Sequence, residues 1–168
     1  MIIVYSLVGI AVTLLFIGYF AGIEIAFISA NRLNIELKKK QGKRSGIILS
    51  KFLEKPSTFL GSCLVGLNIF LVVYGLFFGE LLRASLWNPL ELENPYLKLA
   101  FDTFFSSIIV IILGEFIPKA IYRARADNML TFLAPVAQFF HGLFFPIANF
   151  LANLSEGILK YVFNVRMK

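Results

Sequence analysis

Ile2-Ile3-Val4-Tyr5-Ser6-Leu7-Val8-Gly9-Ile10-Ala11-Val12-Thr13-Leu14-Leu15-Phe16-Ile17 opens an apolar run that continues to about Ile28, with Glu24 as its single charge. A helix rises about 1.5 Å per residue, so roughly 20 such residues cross the hydrocarbon core of a bilayer. The run is too long for the apolar core of a cleaved signal peptide and has no positive leader before it, so it reads as a retained membrane span. Composition agrees along the whole chain. Hydrophobic residues make up 58%, charged residues 15%, and the mean hydropathy is +0.80. That profile belongs to an integral membrane protein. With 168 residues there is room for three or four spans and their connections, and for no separate soluble domain of ordinary size. Cys63 is the only cysteine and lies in an apolar run, so neither a disulfide framework nor a thiolate metal site is available.

The net charge of +6 is concentrated. Between Arg32 and Lys55 stand eight basic residues (Arg32, Lys38, Lys39, Lys40, Lys43, Arg44, Lys51 and Lys55) against Glu36 and Glu54. Such clustering next to a span marks the cytoplasmic side and argues against a nucleic-acid partner. The first span therefore places its N-terminus outside. Leu33, Ile35, Leu37, Ile47, Ile48 and Phe52 alternate with these cations, as in a pair of amphipathic surface helices broken at Gly42 and lying along the inner leaflet.

A second span begins after Pro56-Ser57, where proline suits the first turn of a helix, and carries Asn68 near its middle. The stretch Asn88-Pro89-Leu90-Glu91-Leu92-Glu93-Asn94-Pro95 is acidic and turn-rich, as an outer loop should be, with Trp87 and Tyr96 as interfacial anchors. The third span runs from about Leu99 to Pro118 and leaves through the basic Lys119-Ala120-Ile121-Tyr122-Arg123-Ala124-Arg125. Beyond it, Pro135, His141, Pro146, Asn149, Asn153 and Glu156 interrupt an apolar background. A fourth crossing would put Lys160, Arg166 and Lys168 outside, whereas two short helices hinged near Pro146 keep them inside. The expectation is a single all-α membrane domain over 1–168, with three transmembrane helices (about 2–30, 57–84 and 97–118) and a belt of cytoplasmic-side juxtamembrane helices (about 31–54 and 124–165).

Ile111-Ile112-Leu113-Gly114-Glu115-Phe116-Ile117-Pro118-Lys119 carries the chemistry. A carboxylate in a membrane segment costs roughly 2.5 to 3.5 kcal/mol on insertion scales, so it usually faces a bundle interior, a water cavity or an ion. In α-helical register, Pro118 has no N–H for the carbonyl of Gly114, which leaves a carboxylate and a free carbonyl within one turn. Both are hard oxygen ligands suited to Mg²⁺ or Ca²⁺. The plainer reading is an i,i+4 ion pair between Glu115 and Lys119. Glu24 and Asn68 add one polar group to each of the other spans, although hydrogen bonding between helices would account for either. Gly75 and Gly79 offer a GxxxG spacing for close helix packing. Asp102, four residues after Lys98, reads as a solvated pair, with a second ion site beside Ser106 and Ser107 as the bolder alternative. His141 stands alone and reads as a satisfied or interfacial histidine. No nucleophile–base pairing or nucleotide loop appears, so an enzyme is not expected.

At Phe20-Ala21-Gly22-Ile23-Glu24-Ile25-Ala26-Phe27, Ser29-Ala30-Asn31-Arg32-Leu33, Val65-Gly66-Leu67-Asn68 and Gly114-Glu115-Phe116-Ile117-Pro118-Lys119, the chain resembles the transmembrane domain of the CorC and cyclin M (CNNM) magnesium transporters. The resemblance covers nearly the whole chain. It implies three membrane helices, a juxtamembrane belt, a homodimer in the inner (plasma) membrane, and Mg²⁺ bound within the membrane and exported in exchange with Na⁺. The implied ion site falls on Glu115, Asn68, the Gly114 carbonyl, Glu24 and position 21. Ala21 stands where the family usually has serine, and Leu67 where it often has a second asparagine. The family also continues into cytosolic CBS domains that bind ATP, which this chain, ending at Arg166-Met167-Lys168, does not contain. The competing expectation is a membrane scaffold that shares the fold and moves no ion.

Overall fold

The computed structural model describes residues 1–87 and 94–162, with side chains up to 155 and at 157. Among the described residues the chain is a series of helices joined by short turns, with no strand. In order they are α1 (Ile2–Ser29), α2 (Arg32–Lys40), α3 (Arg44–Glu54), α4 (Pro56–Leu82) continued by a π-helical turn (Arg83–Trp87), α5 (Pro95–Ile109), a π-helical segment (Val110–Phe116), α6 (Ile117–Ala124) and α7 (Ala126–Val162).

The fold is the expected all-α membrane architecture, with one change of count. Four helical stretches are long and apolar enough to cross a bilayer: Ile2–Ser29, Pro56–Trp87, Pro95–Ala124 and Ala126–Ser155. The region expected as two short helices hinged at Pro146 is one continuous helix with Pro135 and Pro146 inside it. An interior proline costs roughly 3 kcal/mol through its missing bond and its clash one turn back. Here a stripe of Ala126, Leu130, Ala134, Ala137, Phe144 and Ala148, spaced by three, four or seven residues and all buried, gives the helix a packed face along its length. Tertiary packing outweighs the local penalty. Residues 88–93, most of the predicted acidic loop, lie outside the described residues, as do Arg166, Lys168 and the side chain of Lys160.

Two units make up the chain: Met1–Gly22 with Leu67–Ala124, and Ile23–Gly66 with Arg125–Lys168. The first is built on Ile10, Ile17, Tyr74, Phe78 and Val110, flanked by the stacked rings of Phe16 and Phe70, whose centroids lie 4.4 Å apart. Trp87, expected at the interface, is buried here, and its Nε1–H donates to Asp102 Oδ1 at 2.8 Å. Asp102 thus has a tryptophan donor, where the sequence had pointed to Lys98.

In the second unit, the α2–α3 hairpin turns at Gly42, whose φ of +70° is the left-handed conformation that glycine tolerates best. A Cβ built at Gly46 would overlap the backbone of Lys38 and Lys39, so the two helices touch main chain to main chain there. Asn31 caps α2 by accepting from the Leu33 N–H, and Asp127 receives the Asn31 N–H at 3.0 Å and the Asn34 amide at 2.9 Å, fastening the start of α7 to α2. Phe27, Phe59 and Phe52 form a chain of ring contacts at 4.6 and 4.2 Å. His141 packs against Phe52, Phe59 and Phe145 and shares a 2.8 Å hydrogen bond between its Nδ1 and Ser62 Oγ. It is a satisfied histidine, as its isolation in the sequence implied.

Candidate metal centre

Glu115 lies on the π-helical segment Val110–Phe116. A π turn holds one more residue than an α turn, so its carbonyls are offset from their usual partners, and such turns recur at functional sites. The Ile117 N–H bonds to the Ile112 carbonyl, five residues back. In that register the acceptor opposite Pro118 is Leu113, one residue away from the Gly114 carbonyl that α-helical counting had freed. The proline supplies the physical cause. In a regular helix its ring would press on the carbonyl of Gly114, and the wider turn relieves that clash.

Gly114 is buried against α1. A Cβ built on it would come within 3.0 Å of Ile17 and 3.3 Å of Leu14. The reciprocal position on α1 is Gly18, whose built Cβ would lie 2.9 Å from the Pro118 ring and 3.6 Å from the Gly114 carbonyl oxygen. One turn further, Gly22 faces the Tyr122 ring, which a built Cβ would meet at 2.6 Å. Gly18 and Gly22 thus form a GxxxG pair that meets Gly114, Pro118 and Tyr122 at the same spacing of four. Only glycine on α1 allows this approach. The sequence had pointed to Gly75 and Gly79 for such packing, but among the described residues nothing lies within 4 Å of a Cβ built at either. They line a cavity of about 240 Å³ with Asp102, Thr103, Ser106 and Ser107.

Each predicted ligand can be placed. The Glu115 carboxylate is partly exposed and pairs with Lys119 through a 3.0 Å contact between Oε2 and Nζ. The plain i,i+4 reading is therefore realised, and a metal ion at Glu115 has to displace that ammonium. On an exposed helix such a pair is worth about 0.2–0.5 kcal/mol, which a divalent charge readily exceeds. Ala21 is fully buried one turn along α1 from Gly18 and brings a methyl group and no side-chain oxygen. Asn68 is exposed on α4, next to the buried Leu67. Ala21, Asn68, Gly114 and Glu115 belong to the first unit, and Glu24 to the second, where it is half-buried within electrostatic range of Cys63. Among the described residues no three His, Cys, Asp or Glu side chains converge as a metal-binding group, so a site here relies on amide and carbonyl oxygens beside its carboxylates. Missed in the sequence were Gly18 and Tyr122, whose importance lies in what they touch.

Long apolar helices, a basic interfacial hairpin and a carboxylate on a π turn define a multi-pass α-helical membrane domain. The sequence pattern of the cyclin M transmembrane N-terminal domain matches residues 8–166, and the chain belongs to that family. It is similar to a UPF0053 protein of Synechocystis sp., with 25% identity over 149 residues, 85% of this chain and 33% of that protein. An uncharacterized protein of Mycobacterium tuberculosis is 27% identical over 163 residues, 92% of this chain and 46% of its own length. A UPF0053 protein of Mycoplasma pneumoniae is 27% identical over 115 residues, 68% of this chain and 26% of that protein. The chain thus spans less than half the length of each of these relatives.

Proposed function

We propose that this chain is the membrane domain of a divalent-cation transporter with Mg²⁺ as its cargo, working as a homodimer in the inner (plasma) membrane with its N-terminus outside and exporting Mg²⁺ against Na⁺ entry. The observation that carries this reading is the Glu115 carboxylate on a π turn whose neighbouring Gly114 carbonyl lies beside Gly18 of α1. Glu115, Asn68 and the Gly114 carbonyl, all in the first unit, would supply oxygen ligands. At position 21 only the backbone of Ala21 offers an oxygen. Mg²⁺ dehydrates reluctantly and demands octahedral geometry, so a site this poor in side-chain oxygen keeps some of its water.

The test is the melting temperature of the purified protein against Mg²⁺, Ca²⁺ and Na⁺, for the wild type and Glu115→Gln. A ligand at 100 times its dissociation constant stabilises the native state by about 2.7 kcal/mol, so a Mg²⁺-selective rise that Glu115→Gln abolishes is expected. An equal rise in both proteins would remove Glu115 from the site. Two observations favour a second reading, a scaffold of the same fold: Ala21 lacks an oxygen-bearing side chain, and Lys119 already neutralises Glu115. Flux into proteoliposomes separates the two, because a scaffold moves no Mg²⁺.

A further inference from the structure

The α2–α3 hairpin carries a charge that the protein does not balance. Lys38 has a protein partner, a neutral one: its Nζ donates to Thr131 Oγ1 on α7 at 2.7 Å. The other seven cations, Arg32, Lys39, Lys40, Lys43, Arg44, Lys51 and Lys55, are all exposed, and among the described residues none of them forms an ion pair. The Gly42 turn brings Lys39 and Lys40 close to Lys43 and Arg44. Holding like charges together on a short hairpin opposes folding unless an outside anion offsets them.

Three exposed apolar side chains accompany these cations. Leu33 is 67% exposed, Leu37 48% and Ile47 43%, and the two leucines, four residues apart, share one side of α2. A purely water-facing hairpin gains nothing from such residues. An interfacial hairpin inserts them at the boundary between headgroups and acyl chains while its lysines stay among the phosphates.

Connectivity names the anion within reach. α1 ends at Ser29, shortly before Arg32, and α4 begins at Pro56, next to Lys55, and both helices are long and apolar enough to cross the bilayer. The hairpin is therefore tethered at both ends to membrane spans and sits at the level of the lipid headgroups. We propose that α2–α3 is a binding surface for anionic phospholipids, in which Lys39, Lys40, Lys43 and Arg44 engage headgroup phosphates while Leu33, Leu37 and Ile47 enter the interface. Juxtamembrane cations near an anionic leaflet have this role generally, and the attraction fades within a Debye length.

The experiment is the melting temperature of the intact protein in mixed micelles supplemented with phosphatidylglycerol, phosphatidylcholine or soluble glycerol 3-phosphate. Phosphatidylglycerol should raise Tm by about 2–4 °C, a shift of a size readily resolved for a chain of this length, and the other two should not. Raising the ionic strength to about 1 M, where screening acts within about 3 Å, should erase the shift. The quadruple variant Lys39→Gln/Lys40→Gln/Lys43→Gln/Arg44→Gln should lose the shift while melting in phosphatidylcholine at or above the wild-type temperature, because four mutually repelling charges are gone. If that variant proves unstable, Glu36→Gln/Glu54→Gln decides the matter from the opposite side, because removing the hairpin's two carboxylates should enlarge the shift. Equal shifts from both lipids, a full phosphatidylglycerol shift in the quadruple variant, or no enlargement in the double variant would overturn the proposal. A shift from glycerol 3-phosphate matching that from phosphatidylglycerol would replace the lipid surface with a small-anion site.

Discussion

Lys119 sets a condition on the proposed ion site at Glu115. Its ammonium sits 3.0 Å from Oε2, and a cation bound at that oxygen would have to exchange with it. Replacing it with methionine keeps the length of the side chain and removes the charge. An i,i+4 pair is worth about 0.2–0.5 kcal/mol, so the Mg²⁺ concentration giving half of the melting shift should fall roughly twofold in Lys119→Met. An unchanged midpoint would mean that the ion does not use Glu115. Residue by residue, the sequence indicated the carboxylate and its lysine, because their spacing alone brings them together on a helix. It could not indicate that Gly18 and Gly22 meet Pro118 and Tyr122. A glycine advertises small size and nothing about its partner, and Gly75 and Gly79 show the same spacing with empty space around them.

The π segment and the glycine seam meet at Pro118 and make separate predictions at the level of the helix. Pro118→Ala returns an N–H at that position and removes the ring that presses on Gly114, so the segment should relax to α-helix, with stability equal to or above that of the wild type. Its Mg²⁺-induced melting shift should nevertheless disappear, since the π turn places Glu115; a retained shift would show that the turn is incidental. For the seam, Gly22→Leu forces a side chain into the Tyr122 ring and should cost about 1–3 kcal/mol, the usual penalty for overpacking. A double-mutant cycle with Tyr122→Ala should return most of that loss as coupling energy, and additive effects would place the clash elsewhere. Helix boundaries fixed by local chemistry could be read in advance: Gly42 closing the α2–α3 turn and Pro56 opening α4 are where the residues put them. The π register could not, because it is a compromise between proline sterics and packing against α1.

Across the second unit, the contacts of α7 bear on how many times the chain crosses the bilayer. Asp127 and Thr131 meet α2, His141 meets Phe52 of α3 and Ser62 of α4, and Ala148 meets Gly61 of α4. Residues 141 and 148 are two turns apart on α7, yet they touch neighbouring residues on α4, only five or six positions after that helix begins. Two helices crossing the bilayer side by side would advance together, whereas these contacts gather at the start of α4. Length and apolarity are what make it a fourth candidate span. They record a helix whose buried alanine stripe and exposed Phe132, Phe139 and Phe150 suit one packed face and one lipid-facing face. A helix lying along the membrane surface would keep its end on the side of its start, the arrangement that the distribution of lysines and arginines favours. The prediction is that Asn128→Cys and Ser155→Cys react with a membrane-impermeant maleimide from the same side of oriented vesicles. Cys63, 4% exposed, should stay unlabelled and serve as the internal blank. Labelling of the two positions from opposite sides would make α7 a fourth span and move the chain's last residues outside.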